Sequence, residues 1–373
     1  MAIDFEAEGL LDGLSGRERE ARIELLDELA GEGVPVEELH RAVAEDRLAL
    51  LPVDRALHGG ERTYTLDEVA ERSGVERSFL QRNLHALGLA VPDPAEPAFT
   101  DTDVEFARAV GMLRQSGLPD DALLEMARVI AVAMAQVAAG ARAVIGDAFL
   151  EPGDTEREAS RRFAAAASGL GPLMGPILGY VFNAHLREQL QSDAVGREEL
   201  TAGRVTGAQE VNVCFADLVG FTRLGESVAA EELGAVTGRL TALASDVAAP
   251  PVRIVKLIGD AAMMVSPRTD PLLDAALSLV EAAGSEDLPP LRAGVARGLA
   301  LPRGGDWYGR PVNLASRITG IARPESVLCE AEVRDAAGEG YRWSSAGARH
   351  LKGIRGQVRL YRVRRDADAL TAS

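Results

Sequence analysis

Two hydrophobic periods divide the chain: over roughly its first 200 residues apolar side chains recur every three or four positions, as along one helix face, and from Val211 onward they gather in short β-rich runs. Residues 18–50 predict helix, with Ile23, Leu26 and Leu29 on one stripe and a break between Gly31 and Pro35. Residues 64–89 predict a helix-turn-helix, with Thr65 as N-cap, Glu68 three residues on, a turn at Gly74 and a second helix from Glu76. Residues 122–150 predict a long Ala-rich helix interrupted at Gly140 and Gly146, and residues 184–200 a helix leading out of this region. Beyond it, VNVCFA, VRIVKLI, AAMMVS, LRAGVARG, SVLCEA and VRLYRV read as strands separated by helical stretches such as AEELGAVTGRLTALASDV. That alternation implies an α+β domain around one mixed or largely antiparallel sheet. The expected organisation is a mostly helical domain over 1–190, a linker helix and hinge over 191–208, and the α+β domain over 209–373.

One stretch tests whether the chain is soluble. No formal charge falls between Arg162 and Arg187, a length sufficient to cross a bilayer. Pro172 and Pro176 each remove a backbone donor within about one turn, which weakens a regular spanning helix. The expectation is a buried, kinked core element packed through Gly171, Gly175 and Gly179, with no membrane span.

Charge sharpens the division. Residues 1–190 carry 34 Asp and Glu against 18 Lys and Arg, whereas residues 191–373 carry 23 against 22. A front half this acidic repels phosphate backbones and anionic headgroups. The helix-turn-helix with the following FTDTDVEFARAVGMLRQSGL resembles the winged helix-turn-helix of MerR-type regulators, and its second helix offers Arg77, Arg82 and Asn83 to a groove. The surrounding acids cancel those cations, so the unit is expected to be a helical packing module with no nucleic-acid partner. Cys214 and Cys329, each in an apolar run, read as buried thiols in a reducing compartment. The acidic start MAIDFEAEG lacks the positive charge of a signal peptide, so a cytoplasmic location is expected.

The chemistry concentrates in the second half. Asp217 stands where the first strand run ends, followed by Gly220, Phe221 and Thr222 leading toward a helix, a carboxylate beside backbone N–H groups suited to phosphate oxygens. Asp260 sits in the tight Gly259–Asp260 turn between two strands, so a hairpin would lift it to one end of the sheet. Two such carboxylates suit metal-assisted phosphoryl transfer, although each alone reads equally well as a turn residue. The chain has 38 Arg and only two Lys, and Lys256 lies inside an otherwise apolar strand, where a bare ammonium is costly and a specific acceptor is expected. Lys352 stands in HLKGIRGQ with a stem able to reach a phosphate. In GDWYGRPVNLASRI, a helix from near Pro311 puts Asn313 and Arg317 on one face, with Asp306 seven residues before Asn313.

Together FADLVGFT, KLIGDAAM, GDWYGRPVNLASRI and LKGIRGQVRLYRV resemble the catalytic domain of class III nucleotide cyclases over residues 211–363. The resemblance implies a ferredoxin-like βαββαβ core and conversion of ATP to 3′,5′-cyclic AMP and pyrophosphate. It implies that Asp217 and Asp260 hold two Mg²⁺ or Mn²⁺ ions, that Lys256 and Asp306 read the adenine edge, that Asn313 positions the ribose, and that Arg317 stabilises the α-phosphate in the transition state. Lys352 would contact the triphosphate. A Lys donor and an Asp acceptor fit adenine N1 and N6 and mismatch guanine. In that family the metal acids and the Asn–Arg pair of one site come from different subunits, so a chain with both sets implies a homodimer. The acidic half more loosely resembles the N-terminal regulatory domain of bacterial cyclases. Its expected signals are protonation of histidines such as His185, or an apolar small molecule in a pocket lined by Leu170, Leu173, Met174, Ile177 and Leu178. Competing readings are a transcription factor that senses nucleotide and a catalytically silent dimerisation module.

Overall fold

A computed structural model describes residues 3–58, 62–149, 151–192, 207–285 and 288–366. Most of the expected linker over 191–208 lies outside the described residues. The chain divides into two compact units, Met1–Arg187 and Glu188–Ser373.

The first unit is helical. Helices α1 (Gly16–Gly31), α2 (Val36–Ala44) and α3 (Leu51–His58) enclose a core of Leu25, Leu26, Leu29, Leu39 and Leu48. Helices α4 (Leu66–Ser73), α5 (Arg77–Ala86) and α6 (Asp101–Gln115) enclose a second core around Leu66, Val69, Phe79, Leu80 and Val104. Thr65 caps α4 by accepting from the Glu68 N–H while Glu68 returns to the Thr65 N–H at 2.8 Å, and Gly74 ends the helix at φ 69°. The groove-facing residues of α5 are engaged internally: Arg77 pairs with Asp67, Arg82 with Asp120, and Asn83 is buried.

Three expectations fail in this unit. Helix α7 (Asp120–Phe149) runs unbroken through Gly140 and Gly146, because a single glycine costs a helix only about 1 kcal/mol and long flanking turns absorb it. Helix α8 (Glu156–Ser192) runs unbroken through Pro172 and Pro176, and the segment expected to be a buried core element is largely exposed. The two prolines are four residues apart, so the hydrogen bonds they forfeit lie on one exposed face, where water can pair the freed carbonyls. Leu170, Leu173 and Ile177 stand in the open rather than around a cavity, so the apolar effector pocket is not formed by these residues within the unit. Apolar composition says that a surface needs cover, not that this chain supplies it. By length and composition alone, Asp120–Gly146 and Glu156–Leu190 are apolar enough to cross a membrane.

The second unit is a mixed sheet packed with helices on both faces. Its strands are β1 (Gln209–Leu218), β2 (Arg253–Ile258), β3 (Ala261–Ser266), β4 (Leu291–Arg303), β5 (Asp306–Gly309), β6 (Ser326–Glu330), β7 (Tyr341–His350) and β8 (Gln357–Arg365). They run in the order β2-β3-β1-β4-β6-β8-β7 with β5 on β4, and only β4 and β6 pair in parallel. Side-chain alternation sends Cys214 and Ala216 of β1 to one core, with helices α10 (Ala230–Val247) and α11 (Thr269–Ala283), and Val211 and Val213 to the other, with helix α12 (Arg310–Ile321). Short helices α9 (Phe221–Gly225) and α13 (Ala331–Ala336) complete the unit. Strand β5 escaped the sequence reading because DWYG looks like turn, and β7 because YRWSSAGARH is polar over a long stretch. Cys214 and Cys329 are free and buried, and burial pushes the Cys214 thiol up to about 12.

Candidate active site

Pairing of β1 brings the first carboxylate to its partners. Asp217 lies opposite Ala261 of β3 on one side and Arg292 of β4 on the other. The β2–β3 hairpin closes through Gly259, at φ 59°, and Asp260, and the Leu218 N–H donates to the Asp260 carbonyl at 3.0 Å. That bond ties the hairpin turn to the end of β1 and sets the Asp260 carboxyl close enough to Asp217 for the two charges to interact. Burial raises the Asp260 carboxyl above its ordinary value, and the neighbouring Asp217 charge raises it further. Arg292 holds Asp217 Oδ2 through Nη2 at 2.8 Å and Nε at 3.1 Å, while its Nη1 donates to the Gly320 carbonyl at the end of α12.

Sequence reasoning missed Arg292. The available signal was a cation inside the apolar run LRAGVARG, but only the β1–β4 register puts it on Asp217, 75 residues away.

The acceptor expected for Lys256 is Asp306. The ammonium on β2 and the carboxylate at the start of β5 form a close ion pair, and Asp306 Oδ1 also accepts the Trp307 N–H at 2.8 Å. About a third of each side chain remains exposed, 35% and 28%, so a ligand can reach both. After β1, Gly220 at φ 81° precedes α9; Phe221 packs against the core beneath α10, whereas Gly220 and Thr222 are exposed.

Three candidates stand apart from these pairs. Helix α12 buries Leu314, Ala315 and Ile318 and turns Asn313 and Arg317 outward, where neither makes a hydrogen bond or ion pair among the described residues. Lys352 is exposed in the β7–β8 connection, also without a partner, between the packed Leu351 and Ile354. The height of α12 is set by Gly294 of β4: a Cβ there would lie 2.3 Å from the Thr319 N and 2.6 Å from the Ala315 carbonyl.

Chemically, Asp217 and Asp260 are hard oxygen donors at one accessible end of the sheet, and burial together with the neighbouring Asp217 charge raises the proton affinity of Asp260. That donor set fits Mg²⁺ or Mn²⁺. No group of three or more His, Cys, Asp or Glu suited to a metal occurs among the described residues, so the remaining ligands would be phosphate, backbone or water oxygens.

The fold and these groups define a class III nucleotide cyclase domain joined to a helical regulatory domain. The family model for the adenylate and guanylate cyclase catalytic domain matches residues 204–365, and that for the adenylate cyclase regulatory domain matches residues 3–190. The chain is 42% identical to the pH-sensitive adenylate cyclase MT1302 of Mycobacterium tuberculosis, over 98% of this chain and 94% of the relative. It is 35% identical to an adenylate cyclase of Streptomyces coelicolor, over 77% of this chain and 74% of the relative. The adenylyl cyclase CyaB of Pseudomonas aeruginosa covers 43% of this chain and 95% of its own, at 20% identity and a TM-score of 0.40. The chain belongs to the class III adenylate cyclases and is an adenylate cyclase, a phosphorus–oxygen lyase.

Proposed function

We propose that the enzyme forms 3′,5′-cyclic AMP from ATP at two equivalent sites, each shared between the subunits of a homodimer. The observation that carries this reading is the division of labour within one chain. The carboxylate pair and the Lys256–Asp306 pair are assembled, while Asn313 and Arg317 face outward with nothing to bind. Exposed apolar side chains on the same strands, Leu257, Ile258, Leu299 and Tyr308, support a second copy as their cover.

In this reading Asp217 and Asp260 hold two divalent ions, which when bound would acidify the ribose 3′-hydroxyl and neutralise the triphosphate. Lys256 donates to adenine N1 and Asp306 accepts from the N6 amino group, which orients the nucleoside. Arg292 holds the Asp217 carboxylate in position through its two hydrogen bonds. Backbone N–H groups around Gly220, Phe221 and Thr222, with Lys352, hold the remaining phosphate oxygens. Asn313 of the second subunit fixes the ribose, and Arg317 meets the charge that gathers on the α-phosphate as the 3′-oxygen bonds to phosphorus and pyrophosphate departs.

Regulation belongs to the same proposal. Residues 1–200 restrain the catalytic dimer, and protonation of histidines such as His185 shifts the balance. The relative named for pH sensitivity supports this part of the reading.

Mixing full-length Asp217→Ala chains with full-length Arg317→Ala chains tests the shared site. Neither homodimer should turn over, whereas the mixed dimer should regain one complete site and a substantial fraction of native cyclic AMP formation. No recovery, with subunit exchange shown by a tagged copy, would place the whole site within one chain and end the proposal.

A further inference from the structure

The sheet face beneath α12 is covered only in part. Beyond Ile321, the last residue of α12, strands β6, β8 and β7 form the floor of an open cleft of about 430 Å³. Leu328, Leu351 and Leu360 make that floor apolar. Around it stand Arg323, Arg349 and Arg362, and no Asp or Glu lines the cleft. The register accounts for the convergence: Arg362 pairs with Leu328 across β6–β8 and Arg349 with Val358 across β7–β8, so both arginines share the face of Leu360. Arg323 reaches in from the loop after α12.

None of these three guanidiniums makes a side-chain hydrogen bond or ion pair among the described residues. The chain carries 57 Asp and Glu against 40 Lys and Arg, yet none of those carboxylates lines this cleft. Elsewhere in the unit Arg292, Arg310, Arg334 and Arg365 are each held by a carboxylate. Like charges around one concavity repel, and the guanidinium fork matches phosphate oxygens in geometry. The volume lies within the range of small-molecule pockets, and the mixture of apolar floor and convergent donors is the usual composition of such sites.

We propose that this cleft is an anion site, built from residues distinct from the Asp217–Asp260 and Lys256–Asp306 pairs, that takes a phosphorylated small molecule. Its phosphate oxygens lie among Arg323, Arg349 and Arg362, and its less polar body rests on Leu328 and Leu360. The phosphate group could belong to a nucleotide or to free pyrophosphate, the two phosphate species the enzyme itself handles.

Isothermal titration of the full chain in EDTA, once with ADP and once with inorganic pyrophosphate, separates these sources and suppresses binding that depends on divalent metal. Binding of either probe is expected, and Arg349→Ala with Arg362→Ala should weaken it by about tenfold or more through loss of charge-assisted bonds. Tighter binding of ADP than of pyrophosphate assigns the site to nucleotides; equal affinity assigns it to the free polyanion. Undiminished affinity in the double variant, or no binding of either probe to the native protein, overturns the proposal. Should the double variant lose its native far-ultraviolet dichroism, Arg323→Ala repeats the test from a loop outside the sheet. There, weaker binding supports the site and unchanged affinity refutes it.

Discussion

Both units are built on apolar cores, but they place their charge in opposite ways. In the first, α1 and the start of α8 are joined by partly exposed charge: Arg157 bridges Glu24 and Glu28, each at 2.5 Å, Arg161 also reaches Glu28 at 2.8 Å, and Arg17 pairs with Glu158 at 3.0 Å. In the second, two apolar cores sandwich a sheet, and the buried charge is concentrated in Glu330, which accepts the Arg297 N–H at 2.8 Å and lies 3.4 Å from Arg310. The consequence is an opposite response to acid. The Arg157 hydrogen bond holds the Glu28 carboxyl below its ordinary value, so its contribution is present above the usual carboxylate range and is lost as pH falls through the lowered value. Burial raises the Glu330 carboxyl, so the stability tied to its neutral form is present at low pH and is lost as pH rises through the raised value. Acidification therefore loosens the ionic joint of the regulatory unit while it relaxes a strain in the catalytic one.

Both tryptophans, Trp307 and Trp343, lie in the second unit, so their fluorescence reports on it alone, while far-ultraviolet dichroism is weighted toward the helical first unit. The comparison is broken most severely by Gly294→Val. A side chain at Gly294 meets helix backbone rather than flexible atoms, so α12 must lift from β4, at a cost of about 1–3 kcal/mol or more. The expected result is a lower midpoint of tryptophan-detected unfolding and a loss of cyclic AMP formation larger than the stability change explains, because Asn313 and Arg317 ride on that helix. A variant with native midpoint and native turnover would show that α12 can shift without consequence.

Glu330→Gln is a milder intervention that sharpens the contrast. The amide keeps an acceptor for Arg297 and removes the ionisation, so the tryptophan-detected midpoint should stop falling as pH rises above the carboxylate range. If native protein and variant trace the same midpoint-against-pH curve, the buried carboxylate is not what makes this unit respond to pH.

The smallest effect is expected at the ionic joint itself. Arg157→Gln removes the contacts to Glu24 and Glu28, and because these groups are partly exposed the loss at neutral pH should be modest. It should appear as a small drop in the dichroism-detected midpoint, a weaker dependence on salt and acid, and no change in tryptophan signal. A change confined to tryptophan fluorescence would mean that this ionic joint does not act within the first unit.

Much of this was local enough to read from residues in order. Strand periodicity located β1, β2, β3, β4, β6 and β8, the Gly259–Asp260 pair marked a hairpin turn, and Thr65 with Glu68 marked a capped helix, because each depends on neighbours within a few positions. The scarcity of lysine singled out Lys256 as needing an acceptor, again without knowledge of the fold. Which acceptor it meets is a matter of β2 and β5 coming together across 50 residues. Tertiary structure alone decided that Arg292 lands on Asp217, that Gly294 sets the seat of α12, and that three arginines from a loop and two strands converge on one cleft without a carboxylate. It also decided that the apolar run around Leu173 and Ile177 is exposed on a continuous helix rather than buried. Backbone propensity and hydrophobic period act over one turn or one strand pair, whereas burial and charge pairing depend on which distant segments the sheet register makes neighbours.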